Sequence, residues 1–247
     1  MTRRVLSVAI LGICAFFFAL PFAKGDIVST FSAGDEGWKV VSFENLTTDD
    51  FSVVATYTPT FNLTGGNPGG FISTMDQDNG DLTFAAPAKF LGNVSGATGL
   101  NYDLIYPVGS INYQPTDLIL MGNGETLLWK SNPDIVPGPT WMTVSLDFVP
   151  SADWHVGTSG GALATASDFS NVLGNLSGLF IRGEYTTGLI ETPGLDNVNL
   201  VGATSVPEPS TMAMMAVASV ALVMLRRVAQ MHSPIRTPCR SKARNNS

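Results

Sequence analysis

The chain is 247 residues long and carries 13 Lys and Arg against 20 Asp and Glu, a net charge of −7 at pH 7. Between residues 26 and 205 the imbalance is stronger, because four basic side chains stand against 19 acidic ones, a net charge of −15. A region this acidic is repelled by phosphate groups, which excludes nucleic acid and anionic lipid as its partners.

The first 25 residues have the pattern of a secretory signal peptide. Arg3 and Arg4 precede an apolar run, Val5–Phe22, and the small residues Ala23 and Gly25 follow. A basic start, an apolar centre and small residues before a cut are typical of such a signal, so we predict cleavage after Gly25. A transmembrane anchor is the alternative, but a proline at position 21 and the small-residue end favour the cleaved signal.

The predicted exported part, residues 26–205, has no cysteine. Cys14 lies in the signal and Cys239 near the C-terminus. A domain of about 180 residues can bury enough apolar surface to fold without a disulfide, even in an oxidising compartment. The lack of cysteine therefore favours one domain of ordinary size over a small disulfide-stabilised module.

Short stretches of alternating apolar and polar residues recur between Gly, Pro, Asn and Asp, and this pattern is typical of antiparallel β-structure. We predict strands at Ile27–Phe31, Trp38–Phe43, Phe51–Tyr57, Gly70–Thr74, Leu82–Ala85, Leu100–Tyr106, Asp117–Met121, Trp141–Phe148, Leu179–Tyr185 and Leu195–Val201. One segment, Ser167–Leu176, has helical spacing and begins with a candidate N-cap, Ser167 or Asp168. The prediction is a mainly β, single jelly-roll or β-sandwich domain with one short helix.

Several of these stretches, in order, resemble the laminin IV type A (laminin B) domain. The matching pieces are Phe31–Trp38, Gly69–Ser73, Phe84–Asn93, Asp117–Met121, Gly124–Leu127, Trp141, Asp168–Leu173, Leu179–Tyr185 and Leu195–Leu200. The most specific piece is Ala86-Pro-Ala-Lys-Phe-Leu-Gly92. The resemblance implies a galactose-binding-like jelly roll, similar to carbohydrate-binding modules, in extracellular adhesive or matrix proteins without catalytic activity. It also implies core positions for Trp38 and Trp141.

Motifs for catalysis are weak. The segment Gly157-Thr-Ser-Gly-Gly161 fits Gly-x-Ser-x-Gly, but a nucleophile elbow needs a helix immediately after it, and no helical pattern begins before Ser167. His155 is the only histidine between residues 26 and 205, and it precedes the serine. We interpret this segment as a flexible loop, and we predict that the protein is not an enzyme. The acidic segment Asp76–Asp81 is predicted to be a hairpin turn at Asn79-Gly80, with a cation site as the alternative.

Two sets of residues are candidates for binding. By analogy with jelly-roll carbohydrate modules, we predict one structural calcium ion between Asp196, in the last strand, and Asp35 or Glu36, near the start of the domain. Tyr106, Tyr113 and Trp154 lie in loop-rich surroundings and are the predicted sugar-stacking residues.

The C-terminal segment predicts a membrane span. A Pro-rich break, Val206–Thr211, leads to the uncharged run Met212–Leu225 and then to two arginines. Fourteen residues span about 21 Å as a helix, short of a hydrocarbon core of about 30 Å, and a buried core helix is the alternative. The proline break and the arginines, which are typical of a cytoplasmic flank, favour the membrane.

This layout resembles the PEP-CTERM sorting signal of exopolysaccharide-producing Gram-negative bacteria. The resemblance rests on Pro207, Glu208 and Pro209, the apolar segment, and Arg226-Arg227, within residues 206–227. It implies an exosortase-type membrane protease as a partner. Unlike the family pattern, the chain continues for residues 228–247, a stretch that we predict to be a basic cytoplasmic tail.

Together these features predict an exported, non-enzymatic protein anchored at the cell envelope or surface, with extracellular polysaccharide or matrix as its partner. A secreted polysaccharide-degrading enzyme with paired carboxylates is one alternative. A matrix component without a defined ligand is the other.

Overall fold

The computed structural model describes residues 25–107, 111–187 and 192–203. The predicted signal peptide, the sorting signal with its membrane segment, and the basic tail lie outside these residues. Within the described ranges no helix is both long enough and apolar enough to cross a bilayer.

The described ranges contain thirteen strands and one α-helix, with a short 3-10 turn at Ala88–Phe90. The strands are β1 (Ile27–Ser29), β2 (Lys39–Asn45), β3 (Asp50–Tyr57), β4 (Thr60–Gly66), β5 (Gly69–Ser73), β6 (Asp81–Ala85), β7 (Gly99–Ile105), β8 (Leu118–Gly122), β9 (Glu125–Trp129), β10 (Met142–Asp147), β11 (Trp154–Val156), β12 (Leu176–Arg182) and β13 (Gly194–Val201). Helix α1 (Ala166–Gly174) lies between β11 and β12.

These strands form two antiparallel sheets. Sheet A has six strands in the order β10-β7-β13-β5-β4, with β1 also paired to β13, and sheet B has seven in the order β11-β9-β8-β12-β6-β2-β3. Because successive side chains in a strand point to opposite faces, each sheet gives one face to the core and one to the outside. The predicted mainly β sandwich with one helix is confirmed.

The core lies between the two sheets. Leu100, Tyr102 and Leu104 line the inner face of β7, and Val40 and Phe84 face them from sheet B; all five are at most 1% exposed. The alternation of apolar and polar residues that predicts the strands therefore also decides which side chains are buried.

Some predicted elements differ from the structure. The sequence does not predict β4, β9 and β11, which are short or, like β4, carry mostly exposed side chains. The N-cap of the helix is Thr165, two or three residues before the predicted Ser167 or Asp168. Thr165 donates from its amide and hydroxyl to Asp168, at 2.7 and 2.8 Å. Asp76–Asp81 joins β5 of sheet A to β6 of sheet B, so the predicted hairpin turn is wrong.

The outer face of sheet B is filled by the chain itself. Val41, Phe43, Ile119 and Leu128 project from it, yet each is at most 8% exposed. The turn between β2 and β3 covers them, since Leu46 in that turn is buried in the same cluster and is 1% exposed. Two hydrogen bonds fix this turn, since the Ser159 amide and hydroxyl both donate to Asp49 within it, at 3.0 Å each.

A buried ion pair fixes the chain that enters β8. Arg182 Nη2 lies 2.5 Å from Asp117 Oδ1, and the two side chains are 0% and 2% exposed. Arg182 also donates to the Tyr113 carbonyl and to Gln114 Oε1, at 3.2 Å each. Burial raises the pKa of the Asp117 carboxyl, and the Arg182 charge opposes that rise. Each charge is therefore tolerated in the interior because the other is present.

Arg182→Ala should lower the free energy of unfolding by about 3–5 kcal/mol, because it leaves the Asp117 charge buried without its counter-ion. Lys89→Ala removes a partly exposed pair with Glu36 and should cost at most about 1 kcal/mol. Urea denaturation followed by circular dichroism measures both. An Arg182→Ala protein as stable as Lys89→Ala would contradict the importance of the buried pair.

Candidate ligand-binding face

The outer face of sheet A remains accessible in the described part of the chain. Pairing of β10 with β7, and of β7 with β13, places Thr143 beside Asp103 and Asp103 beside Asp196 on this face. Thr143 and Ser145 are exposed, whereas Val144 between them points into the core. The face is therefore polar along β10 and open to ligands from solution.

Two half-buried aromatic rings lie at one end of this face. The Phe71 and Trp141 rings are 5.2 Å apart with an interplanar angle of 80°, an edge-to-face arrangement. Trp141 Nε1 donates to the Gly65 carbonyl at 2.8 Å. Gly194 provides space beneath them, since a Cβ there would lie 3.1 Å from the Phe71 ring. We call Phe71 and Trp141 the aromatic patch.

The tip of the β4–β5 hairpin, Gly65–Gly69, folds over the face beside the aromatic patch. The Asn67 amide donates to Asp196 Oδ2 at 2.6 Å, and Asn67 Nδ2 donates to Asp103 Oδ2 at 3.2 Å. Gly66 is required for this approach, because a Cβ at that position would lie 2.4 Å from the Gly70 carbonyl oxygen and 2.6 Å from Asp196 Oδ2. We call Gly65–Gly69 the hairpin tip.

Asp103 and Asp196 are buried beneath the hairpin tip, at 4% and 0% exposure. Thr143 donates to Asp103 Oδ1 at 2.6 Å, and Asn197 donates from its side chain to Asp103 at 2.8 Å and from its amide to Asp196 Oδ1 at 2.7 Å. Burial raises the pKa of Asp196, the amides of Asn67 and Asn197 oppose the rise, and the Asp103 charge adds to it. All four carboxylate oxygens thus accept hydrogen bonds, and these bonds fix the hairpin tip.

The predicted calcium ligands have separate partners in the structure, and Glu36, the alternative to Asp35, is paired with Lys89. The Asp35 carboxylate accepts a hydrogen bond from the Gly37 amide at 3.0 Å and closes its own turn. The carboxylate opposite Asp196 is that of Asp103. Within the described ranges no group of three or more His, Cys, Asp and Glu side chains is arranged to hold a metal ion. The calcium ion stays a prediction.

Two of the three predicted sugar-stacking residues are core residues instead. Tyr106 is 0% exposed and donates to Thr186 Oγ1 at 2.8 Å, and Trp154 is 1% exposed. The Trp154 ring lies 5.0 Å from that of Phe169 and 5.9 Å from that of Phe148. Neither ring has a free face. The third residue, Tyr113, is half-buried and donates its hydroxyl to Asp81.

Trp141 differs from its prediction in the opposite way. Its predicted core position is wrong, because it is half-buried at the surface of sheet A. The sequence contains the signal for this position. Side chains two residues apart in a strand point to the same face, so Trp141 lies on the face of the polar residues Thr143 and Ser145 and not on that of Val144. Sequence reasoning also missed Phe71, which becomes a surface residue only through the pairing of β5 with β4 and β13.

The Gly157–Gly161 segment is a loop, as predicted, and it contains no nucleophile–base pair. The Ser159 hydroxyl donates to Asp49 at 3.0 Å, while His155 Nδ1 contacts the Gly161 carbonyl at 3.0 Å. An open cleft of about 530 Å³ lies nearby, lined by Lys130, Ser131, Asn132, Pro133, Asp134, Ala152, Asp153, His155 and Ser159. None of these lining residues has a benzene or indole ring on which a sugar could stack.

A group of acids lies where β6 begins and β12 ends. Glu184 Oε2 accepts a hydrogen bond from the Leu82 amide at 3.0 Å, and Glu184 is 7% exposed. Burial raises the pKa of Glu184 to about 8, and the charges of Asp81, Asp76 and Asp78 add to the rise. Glu184 therefore retains its proton at neutral pH.

Within the described residues, two antiparallel sheets of six and seven strands pack face to face, and this architecture defines the class of protein as a jelly-roll β-sandwich domain. Residues 83–217, more than half of the chain, match the family model described as Laminin B (Domain IV). The chain belongs to the laminin B (domain IV) family.

Laminin subunit gamma-1 of Danio rerio is 30% identical to this chain over 184 residues, which are 72% of this chain and 10% of that protein. The chain thus spans about a tenth of that relative. The L4b domain of human laminin alpha-2 has a TM-score of 0.53 at 12% identity, with 72% of this chain and 99% of that domain covered, and it shows the same fold. A family 11 carbohydrate-binding module from Clostridium thermocellum reaches a TM-score of 0.46 at 18% identity, covering 73% of this chain and 98% of that one.

We expect stability to depend on pH through Glu184. The pKa is about 8 in the folded protein against an ordinary value of 4.5, so the folded state holds a proton that the unfolded state has lost. The contribution of Glu184 to the free energy of unfolding should therefore be fully present below about pH 4.5 and be lost as the pH rises through about 8.

Glu184→Gln, which mimics the protonated acid, should flatten this dependence and make the variant more stable than the native chain at pH 9. Glu44→Gln, at an exposed position of β2, is the control and should leave the dependence unchanged. Urea midpoints at pH 5, 7 and 9 measure it. Parallel profiles for the native chain and Glu184→Gln would refute the assignment.

Proposed function

We propose that this domain is an exported, non-enzymatic module that binds extracellular polysaccharide or matrix glycan through the outer face of sheet A. The observation that carries the proposal is the aromatic patch, a pair of rings at the surface of a face that is otherwise polar. Large aromatic residues normally fill the core of a sandwich, as Trp38 and Trp154 do here. Trp141 and Phe71 remain at the surface instead.

The surroundings of the aromatic patch suit a sugar. A ring can cover the apolar face of a pyranose, while hydroxyl groups need hydrogen-bond partners in fixed positions. Asn67 and Thr143 are exposed beside the patch, and Asn62 is half-buried on the neighbouring strand. The hairpin tip is fixed by the carboxylates below it, and its Gly65 carbonyl orients the Trp141 indole. A preformed site of this kind loses little conformational entropy on binding.

The polar groups support binding more than catalysis. A glycosidase needs two carboxyl groups on either side of the scissile bond, one to donate a proton and one to attack or activate water. Asp103 and Asp196 face each other, but they are buried and their oxygens accept hydrogen bonds from Asn67, Thr143 and Asn197. New reducing ends in a polysaccharide incubated with the purified chain would overturn the non-enzymatic proposal.

Trp141→Ala should weaken glycan binding by about tenfold or more, since it removes the stacking surface, and should change stability little. Affinity electrophoresis of the full chain in gels that contain polysaccharide measures the binding. Val53→Ala, at a side chain 60% exposed on sheet B, is the surface control and should bind normally.

Trp154→Ala distinguishes the patch from the core. It should cost about 3–5 kcal/mol of stability and, at a temperature where the variant is folded, retain native affinity. A chain whose binding is lost in Trp154→Ala and kept in Trp141→Ala would refute the proposed face. A chain that binds no glycan would favour a matrix component without a defined ligand.

We also propose that the chain is exported through its N-terminal signal and held in the envelope of a Gram-negative bacterium by its C-terminal segment, with an exosortase-type protease as its partner. The support is the sequence alone: Pro207, Glu208, Pro209, the apolar run, and Arg226-Arg227. Fractionation of the producing strain should find the chain in the envelope or outside the cell, with residues 1–25 removed. Mass spectrometry of the mature C-terminus shows whether processing occurs near Pro207. An uncut chain in the cytosol would end the proposal.

A structural calcium ion is proposed at Asp196, with Asp103 in place of Asp35 as the second carboxylate. Carboxylate oxygens are the ligands that calcium prefers. An ion bound in the folded state alone raises the melting temperature, so identical melting curves in millimolar calcium and in EDTA would exclude it.

A further inference from the structure

The charged side chains on the outer face of sheet A are all acidic in the described part of the chain. Besides the buried Asp103 and Asp196, it carries Asp147, exposed at the end of β10. Asp26 lies at its edge, where it accepts hydrogen bonds from Asn199 and from the Gly202 amide, at 3.0 and 2.9 Å. The six strands of sheet A contain no Lys or Arg.

The four cations of the described residues lie outside the strands of sheet A, and each has a partner. Lys39 donates to Thr58 Oγ1 at 3.1 Å, Lys130 donates to the Gln114 carbonyl at 2.9 Å, and Arg182 is buried against Asp117. Lys89 donates to Glu36 and, at 2.8 Å, to the Val28 carbonyl at the edge of sheet A. Its charge is thus already paired with a carboxylate.

We infer that the ligand of this face is a neutral glycan, and that glycans with uronate or sulfate groups are excluded from it. This inference rests on the proposed binding function and adds the class of ligand. Recognition of carboxylate or sulfate groups normally uses Arg or Lys, and the described part of this face has neither.

The two classes of glycan meet this face in opposite ways. The hydroxyl groups of a neutral sugar can donate to the exposed carboxylate of Asp147 and to the exposed amide oxygen of Asn67, and a hydrogen bond to a carboxylate is charge-assisted and strong. An acidic glycan brings one negative charge per repeat towards Asp147 and the buried pair, and like charges repel over the Debye length of about 10 Å at 0.1 M salt. Charges of the same sign at an interface suppress wrong partners in this way.

The test compares neutral polysaccharides (dextran, a β-glucan and a galactomannan) with acidic ones (alginate and hyaluronan), with the purified full chain in EDTA and again in calcium. At low salt, at least one neutral glycan should bind at least tenfold more tightly than either acidic glycan. Trp141→Ala should lose that binding. Raising NaCl to about 0.5 M should leave neutral binding unchanged, because screening acts on charges.

A charge-swap variant provides a gain-of-function test. Ser145→Lys with Asp147→Lys changes the charge of two exposed positions on β10 by +3 and spares the aromatic patch and the hairpin tip. Acidic glycans should then bind at least tenfold more tightly than to the native chain. Glu44→Lys with Val53→Lys makes the same +3 change at exposed positions of sheet B and should have no such effect.

The possible failures are distinguishable. Binding of an acidic glycan to the native chain at low salt, equal to or tighter than neutral binding and lost in Trp141→Ala, would overturn the inference while leaving the proposed function intact. The same result seen only in calcium would overturn it too. No binding of any glycan, or binding that Trp141→Ala leaves unchanged, would overturn the proposed function and the inference with it.

Discussion

The outer face of sheet A depends on two carboxylates that lie opposite each other on neighbouring strands. Burying Asp103 and Asp196 side by side is unfavourable by itself, since both lose water and each repels the other. Hydrogen bonds from Asn67, Asn197 and Thr143 offset that cost. Because Asn67 lies in the hairpin tip, the requirement to satisfy the two acids also fixes the tip, and the tip in turn holds the Trp141 indole.

The two outer faces of the sandwich are used differently. That of sheet B is covered by its own β2–β3 turn, held by the Ser159–Asp49 hydrogen bonds, and its apolar side chains form a second small core. The face of sheet A keeps its polar row and its aromatic patch at the surface. Whether an aromatic side chain is accessible from solution therefore depends on its position in the sandwich and not on its residue type.

Much of the fold could be predicted from the sequence, since alternation along a strand is a local property. Val144 and Ser145 alternate between the two faces of one strand, and the laminin B pieces occur in chain order. Both observations predict the β-sandwich that the structure has. The site needed non-local information. Asp103 and Asp196 are 93 positions apart in sequence, and nothing local indicates that they pair. Loop-like neighbours predict exposure for Tyr106 and Trp154, and this prediction is wrong. Trp154 packs against Phe148 and against Phe169 of α1, and Tyr106 packs against Tyr185. For Trp141 the family resemblance predicts a core position, whereas the alternation of residues along its strand predicts the surface position that the structure shows.

The pairing of β1 with β13 brings the beginning and the end of the described domain to one edge of sheet A. Asp26 accepts a hydrogen bond from the Gly202 amide at 2.9 Å, so residues near the two ends of the described region are in direct contact. A module whose entry and exit points adjoin can be inserted into a longer polypeptide, or tethered from a single stalk, with little disturbance to either part. The same geometry suits a segment that corresponds to about a tenth of laminin subunit gamma-1 of Danio rerio.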